Sequence, residues 1–201
     1  MLQFTSRKTK EGVILWANEE LLLSLYHFVL DVTRQSMMLR DDGQCEKLAS
    51  EIKTAYNGLS HKKTVRKGKD RVTLLGFELN WVQFIAQLAL LRTALSYMDS
   101  SKKEQYHMFL LEDLLEQALN CNFPREAPLI LATYHTFLLG HSEAELNGQD
   151  SINRCISIYL ATPSSERRTK LAPLLGTLCP HLHNEQFSAT FRTHLEAAQT
   201  A

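Results

Sequence analysis

The sequence predicts an α+β fold dominated by helices, on three observations. Two stretches in the first eighty residues set β-branched and aromatic residues on either side of polar turns, as hairpin strands do. From Asn80 onward apolar residues recur at three- and four-residue steps, the period of helices that bury a face. Ser101 with Glu104, and Ser142 with Glu145, have capping-box spacing, in which hydroxyl and carboxylate satisfy backbone N–H groups at a helix start.

The elements follow in order. Residues 2–5 read as a strand, 6–11 as a polar turn and 12–16, Gly-Val-Ile-Leu-Trp, as the partner strand. Asn18 is placed to cap a helix running to about Arg34, with Glu19 and Glu20 in the first turn, where carboxylates meet the positive end of the dipole. Its apolar residues form two faces, Leu21, Leu22, Leu25, Phe28, Val29 and Val32 on one and Leu23, Tyr26 and Leu30 on the other. That pattern predicts a central helix covered on two sides. A peripheral amphipathic helix from about Gln44 places Leu48, Ile52, Ala55 and Tyr56 together and ends at Asn57-Gly58. A second hairpin is expected from 61–66 and 71–77 about Lys67-Gly-Lys-Asp70, joining the first in one small antiparallel sheet.

From Asn80 to Tyr97 a helix carrying Trp81, Phe84, Ile85, Leu88, Leu91 and Leu95 should lie deep in the core. The helix opened by Ser101 carries Tyr106, Phe109, Leu110, Leu114, Ala118 and Cys121, and residues 122–125, with Pro124, stop it. Further helices are expected at 127–139, from Ser142, and at 151–161, 163–178 and 185–198. The chain reads as a single domain, 1–201, in which an α+β lobe (1–122) would meet a helical lobe (123–201) at that break. The helical lobe completes a multi-helix bundle packed on the sheet.

Charge and composition exclude more than they select. Lys+Arg and Asp+Glu are each 22, so no whole-chain charge calls for a polyanionic or polycationic partner. Residues 1–100 hold 14 basic and 11 acidic side chains and residues 101–201 hold 8 and 11, a split too mild to decide a function. The first ten residues lack the apolar core of a secretory signal. The longest apolar run, 81–91, is interrupted by Gln83 and Gln87 and followed by Arg92, so no membrane association is expected. Cys45, Cys121, Cys155 and Cys179 are widely spaced and mostly in helical apolar patterns, which predicts reduced thiols in a cytoplasmic protein.

The segments GVILWANEELLLSLYHFV and LLGFELNWVQFIAQLALLRTALSYMDSSKKEQYHMFLLEDLLEQAL resemble a family of uncharacterised bacterial proteins of unknown function. The resemblance spans about the first two-thirds of the chain and implies a bacterial cytoplasmic setting. It brings no catalytic residue, because that family has no assigned activity.

The densest charge is Lys62, Lys63, Arg66, Lys67, Lys69 and Arg71, six cations in ten residues opposed by Asp70. On a hairpin they would form a cationic tip able to take phosphate groups of a nucleic acid or other ligand. Cations also guard exposed strand edges against pairing with other chains, and no aromatic residue interleaves with these as a stacking platform. Cys179, His181 and His183 are competent zinc ligands without a fourth partner. Glu104-Gln-Tyr-His107 has di-iron spacing but occurs once where two copies are needed. Residues 177–198 have only Arg192 as a cation on their would-be reading helix, against a DNA-reading helix-turn-helix. Gly58-Leu-Ser-His-Lys62 lacks the second glycine of a nucleophile elbow, His27 reads as a core histidine, and phosphate-cradling glycine loops are absent.

No metal, cofactor or catalytic residue is therefore assigned. The sequence favours a non-enzymatic protein-interaction or regulatory module acting through a protein partner or self-association. Two alternatives remain: the cationic 62–71 hairpin as a nucleic-acid or phosphate-ligand binder, and an enzyme site assembled from His107, Glu112, Glu116, His135, His181 and His183.

Overall fold

The computed structural model describes residues 2–37, 39, 43–68, 70–139 and 148–178. The expected helix at 185–198, the Ser142 cap, Lys69, Cys179, His181 and His183 lie outside these residues. Within them the chain is α+β and predominantly helical, as the apolar spacing predicts.

The two hairpins form one antiparallel sheet. Strands β1 (Gln3–Ser6), β2 (Gly12–Ala17), β3 (His61–Lys67) and β4 (Asp70–Asn80) lie in the order β1-β2-β4-β3. The long β4 serves two partners in succession, pairing with β3 over 70–76 and with β2 over 75–80. Beyond Leu75 toward the turn, β3 and β4 are therefore a two-stranded ribbon, with no further strand beside them among the described residues. Strand alternation sends Val13, Leu15 and Ala17 of β2 and Leu75, Phe77 and Leu79 of β4 into the apolar core. Trp16 and Gly76 pair on the opposite face, where a Cβ at position 76 would stand 2.7 Å from the Trp16 ring.

Helix α1 (Glu19–Gln35) departs from its two-faced expectation. Only the stripe of Leu22, Leu25, Phe28, Val29, Val32 and Thr33 is buried, while Leu23 is exposed and Tyr26 and Leu30 are half-buried. Asn18 occupies the N-cap in extended conformation, but its side chain makes no capping hydrogen bond. His27, expected in the core, is exposed beside Tyr26. The central place belongs instead to α3 (Trp81–Ser96), where every residue but Arg92 and Ser96 is buried. It packs against β4 and against each of the other described helices. The cause is compositional: α1 carries Glu19, Glu20 and Asp31, which need water, whereas α3 has no ionised side chain before Arg92. Its start is fixed by Asn80, whose Oδ1 accepts from the Gln83 N–H at 2.8 Å.

Around α3 lie α2 (Gly43–Tyr56), α4 (Lys102–Asn122), α5 (Ala127–Leu139), α6 (Gly148–Ala161) and α7 (Arg167–Gly176). The Ser101–Glu104 capping box is present, with Glu104 accepting from Ser101 N–H at 2.6 Å and donating its own N–H to Ser101 Oγ at 3.2 Å. That role accounts for the glutamate of the apparent di-iron spacing. Helix α6 begins three residues before its expected start, and α7 begins at Arg167 rather than 163 because Ser164, Ser165 and Glu166 form a turn.

Residues after 122 share the core of those before it. Phe123 sets its ring edge-on to Trp81 at 5.1 Å, and Ile130, Tyr134, Cys155, Tyr159 and Leu171 belong to the same apolar cluster. Arg167 reaches the β1–β2 turn, donating to Thr9 O at 2.6 Å and Glu11 Oε1 at 3.1 Å, and to Leu160 O at 2.8 Å on its own side. The Tyr159 hydroxyl donates to Lys10 O at 2.7 Å, completing the attachment. No described helix is long and apolar enough to cross a membrane.

Candidate functional site

The cationic run sits on the β3–β4 ribbon, but strand geometry divides it. Adjacent residues of a strand face opposite ways, so Lys62 and Lys63 cannot act together. The register places Arg66 opposite Arg71, Thr64 opposite Thr73 and Lys62 opposite Leu75. One face of the ribbon thus carries Lys62, Thr64, Arg66, Arg71 and Thr73, all exposed. The other carries Lys63, Val65, Val72 and Leu74, of which Leu74 is buried and the rest half-buried. Lys67 pairs through its backbone with Asp70.

Lys63 is removed from the cationic set. Its Nζ lies 4.3 Å from the centre of the Trp16 ring, and partial burial lowers its pKa. Trp16 is tied at its other edge by Nε1 donating to Thr5 Oγ1 at 2.9 Å, with His61 edge-on at 6.1 Å. Local pattern does not reveal this aromatic beside the ribbon, since 47 positions separate Trp16 from Lys63. Covered by Lys63 and 7% exposed, it is no free stacking platform.

Electrostatics distinguishes the remaining face. Elsewhere on the sheet Arg7 pairs with both Glu11 and Glu78, and His61 Nε2 lies 3.6 Å from Glu78. Among the side chains described, which do not include those of Lys67 and Asp70, no carboxylate lies within ion-pair distance of Lys62, Arg66 or Arg71. Arg66 and Arg71 stand directly opposite, and like charges so placed disfavour the strand pair.

The dispersed acid and histidine residues separate into two places. Glu112, Glu116 and His135 line a pocket of about 430 Å³ between α4 and α5, together with Phe109, Asp113, Leu115, Leu131 and Tyr134. Glu112 is held at its edge: Arg92 engages it with Nε at 2.7 Å and also through Nη2, and the Tyr134 hydroxyl donates to it at 2.7 Å. Burial, reinforced by the Glu112 charge, raises the Tyr134 pKa and keeps the phenol protonated. Burial opposes the Arg92 charge, but Glu112 outweighs it and the guanidinium pKa lies above its ordinary value.

His107 is not part of that pocket. It is buried, stacked on Phe28 at 5.5 Å, with Nε2 3.0 Å from Ser24 Oγ. No group of three or more His, Cys, Asp or Glu residues able to hold a metal occurs among the described residues. A second polar pocket of about 380 Å³, lined by Arg7, Glu11, Glu78, Asn80, Gln83 and Leu160, has no local sequence signature, because its residues come from the first turn, β4, α3 and α6. Its carboxylates Glu11 and Glu78 share Arg7, so its charges are largely compensated internally. No protein-family model, curated protein or solved structure matches the chain.

The setting of His107 has a measurable consequence. Burial is the main cause that lowers its pKa below 6.5, the ordinary value. The unfolded chain therefore takes up a proton at a higher pH than the folded one. Stability is complete above the unfolded value and is lost as pH falls through that value toward the lower folded one. A urea midpoint that declines from pH 7 to pH 5, with the decline reduced in His107→Gln, is the expected result. An equal decline in both proteins contradicts it.

Proposed function

We propose that this chain binds the phosphate backbone of a nucleic acid through the exposed face of the β3–β4 ribbon. The supporting observation is the cross-strand Arg66–Arg71 pair, joined by Lys62 and lacking a described counter-charge. Phosphates on the open side offset the repulsion between the two arginines, and counterion release from the nucleic acid drives association. Thr64 and Thr73, paired between the cations, add hydroxyls able to donate to phosphate or base-edge acceptors. A two-stranded ribbon fits the major groove of a duplex, and the covered Trp16 offers unstacked bases nothing to lie on. Duplex is accordingly the favoured form.

Fluorescence anisotropy with a labelled duplex at 50–200 mM salt tests the proposal. The triple variant Lys62→Gln, Arg66→Gln, Arg71→Gln is expected to flatten the plot of log affinity against log salt by about 2–3 in slope, close to one unit per lost phosphate contact. The control Lys102→Gln, Lys103→Gln on α4 should leave the slope unchanged. Identical slopes for wild type and the ribbon variant, or no binding by wild type at 50 mM salt, would end the proposal.

A protein-interaction or regulatory module is the second reading. It is supported by Tyr106 and Phe109, one turn apart on α4, which are 59% and 61% exposed. A cytoplasmic setting accompanies both readings and is supported by the free thiols of Cys121 and Cys155.

A further inference from the structure

We propose that the pocket between α4 and α5 is a binding site for a small organic cation, its apolar body against Phe109, Leu115 and Leu131 and its charge facing Asp113 and Glu116. The site is independent of the ribbon. Its volume of about 430 Å³ falls within the range of small-molecule sites, about 300–1,000 Å³.

The carboxylates of the pocket have different roles. Glu112 is already neutralised, because its oxygens accept from Arg92 and from the Tyr134 hydroxyl. Arg92 is in turn fixed by Gln105, whose Oε1 accepts from Nη1 at 2.9 Å. That network joins α3, α4 and α5 and makes one wall rigid, which reduces the ordering cost of binding. Asp113 and Glu116 are three residues apart on α4, on the same side of the helix, and both are exposed. Asp113 accepts from Gln117 Nε2 at 2.8 Å, a neutral donor that leaves the negative charge in place. Among the described residues no cation lies within ion-pair distance of either.

Apolar contact alone would not select charge, and surface carboxylates alone would not retain a ligand. The two occur together here. The Arg92 guanidinium stands 4.6 Å from the centre of the Phe109 ring, so this ring already takes part in one cation–π contact. A planar, delocalised cation such as an aromatic amidine matches both the apolar wall and the acidic side. An anion of the same shape meets two uncompensated carboxylates and is rejected.

The test is a titration followed by ¹H–¹⁵N correlation spectra, using benzamidine, its neutral relative benzamide, and benzoate. Benzamidine is expected to give saturable shifts at backbone amides of residues 109–116 and 131–135, benzamide much weaker ones, and benzoate none. The variant Asp113→Asn, Glu116→Gln should weaken benzamidine about five- to tenfold, as expected for two partly screened charges, with the rest of the spectrum unchanged. Phe109→Leu should weaken benzamidine and benzamide together. Absence of saturable shifts at millimolar benzamidine, an equal response to benzoate, or unchanged affinity in the double variant would each overturn the site.

Discussion

Gly12→Ala is expected to lower the free energy of unfolding by about 3 kcal/mol or more, the upper end of what overpacking costs. Gly12 pairs with Asn80 at the end of the β2–β4 ladder. A Cβ there would stand 1.9 Å from Leu79 O and 2.7 Å from Asn80 Cα, both backbone atoms. Relief by a side-chain rotation is therefore impossible, and the strands would have to part. They cannot part freely, since Asn80 caps α3 and the Trp81 N–H donates to Glu11 O at 3.1 Å. Strain at Gly12 is carried straight into the buried helix. Gly76→Ala provides the comparison: its closest contact is the Trp16 ring, a side chain that can tilt at the cost of its bond to Thr5, and its nearest backbone atom, Leu15 O, stands at 3.0 Å rather than 1.9 Å, so a smaller loss is expected. Urea denaturation followed by circular dichroism measures both. Loss of less than about 0.5 kcal/mol at Gly12, the size of an ordinary surface substitution, would show that the ladder end is looser than its register implies.

Arg167→Met is expected to cost about 2–4 kcal/mol, because the aliphatic stem is kept while a buried charge with several acceptors is removed. Arg167 is 6% exposed and donates to Thr9 O, Leu160 O and Glu11, with a longer 3.4 Å contact to Tyr159 O. Without it the Thr9 and Leu160 carbonyls and Glu11 lose the donor that joins α6 and α7 to the β1–β2 turn. Glu11 should report the change. Its pKa is lowered, first by a hydrogen bond from Thr9 and, against some burial, by Arg167 and Arg7. A lowered carboxylate pKa stabilises the fold above the unfolded value, 4.5, and that contribution is lost as pH falls through the folded one. In Arg167→Met the acid-side decline should be shallower. A double-mutant cycle with Glu11→Gln should give a non-zero coupling, whereas additive losses would mean that the carbonyl bonds alone matter.

Much of this fold is legible in the residues. Strand positions in both hairpins, the Ser101–Glu104 box and the depth of α3 follow from local pattern, because each depends on neighbours within a few residues. The apolar residues Leu23, Tyr26 and Leu30 on α1 predict a second buried face, but an apolar stripe does not disclose whether another element covers it. The cationic run is one patch of six by sequence density, but alternation along a strand divides Lys62 from Lys63. What alternation could not supply was the covering of Lys63 by Trp16, which depends on β2 and β3 flanking β4. The α4–α5 pocket was half legible: Glu112 and Glu116 lie one turn apart, whereas Arg92 and Tyr134 join them only through the packing of three helices.

The enclosure of α3 bears on which sequences can adopt this shape. A helix with a wet side accepts drift there at little expense, but on α3 only Ser96 is exposed, since Arg92 is held by Glu112 and Gln105. Even its polar residues are committed, Gln83 to Glu51, Gln87 to the Gln44 carbonyl and Thr93 to the Ala89 carbonyl. Divergence along this segment must then proceed by paired exchanges of volume between α3 and whichever of the six other described helices it touches at that level. The face of the ribbon that carries Lys62, Thr64, Arg66, Arg71 and Thr73 is open to water and under no such restraint, so the proposed binding surface can change its chemistry while the centre stays fixed.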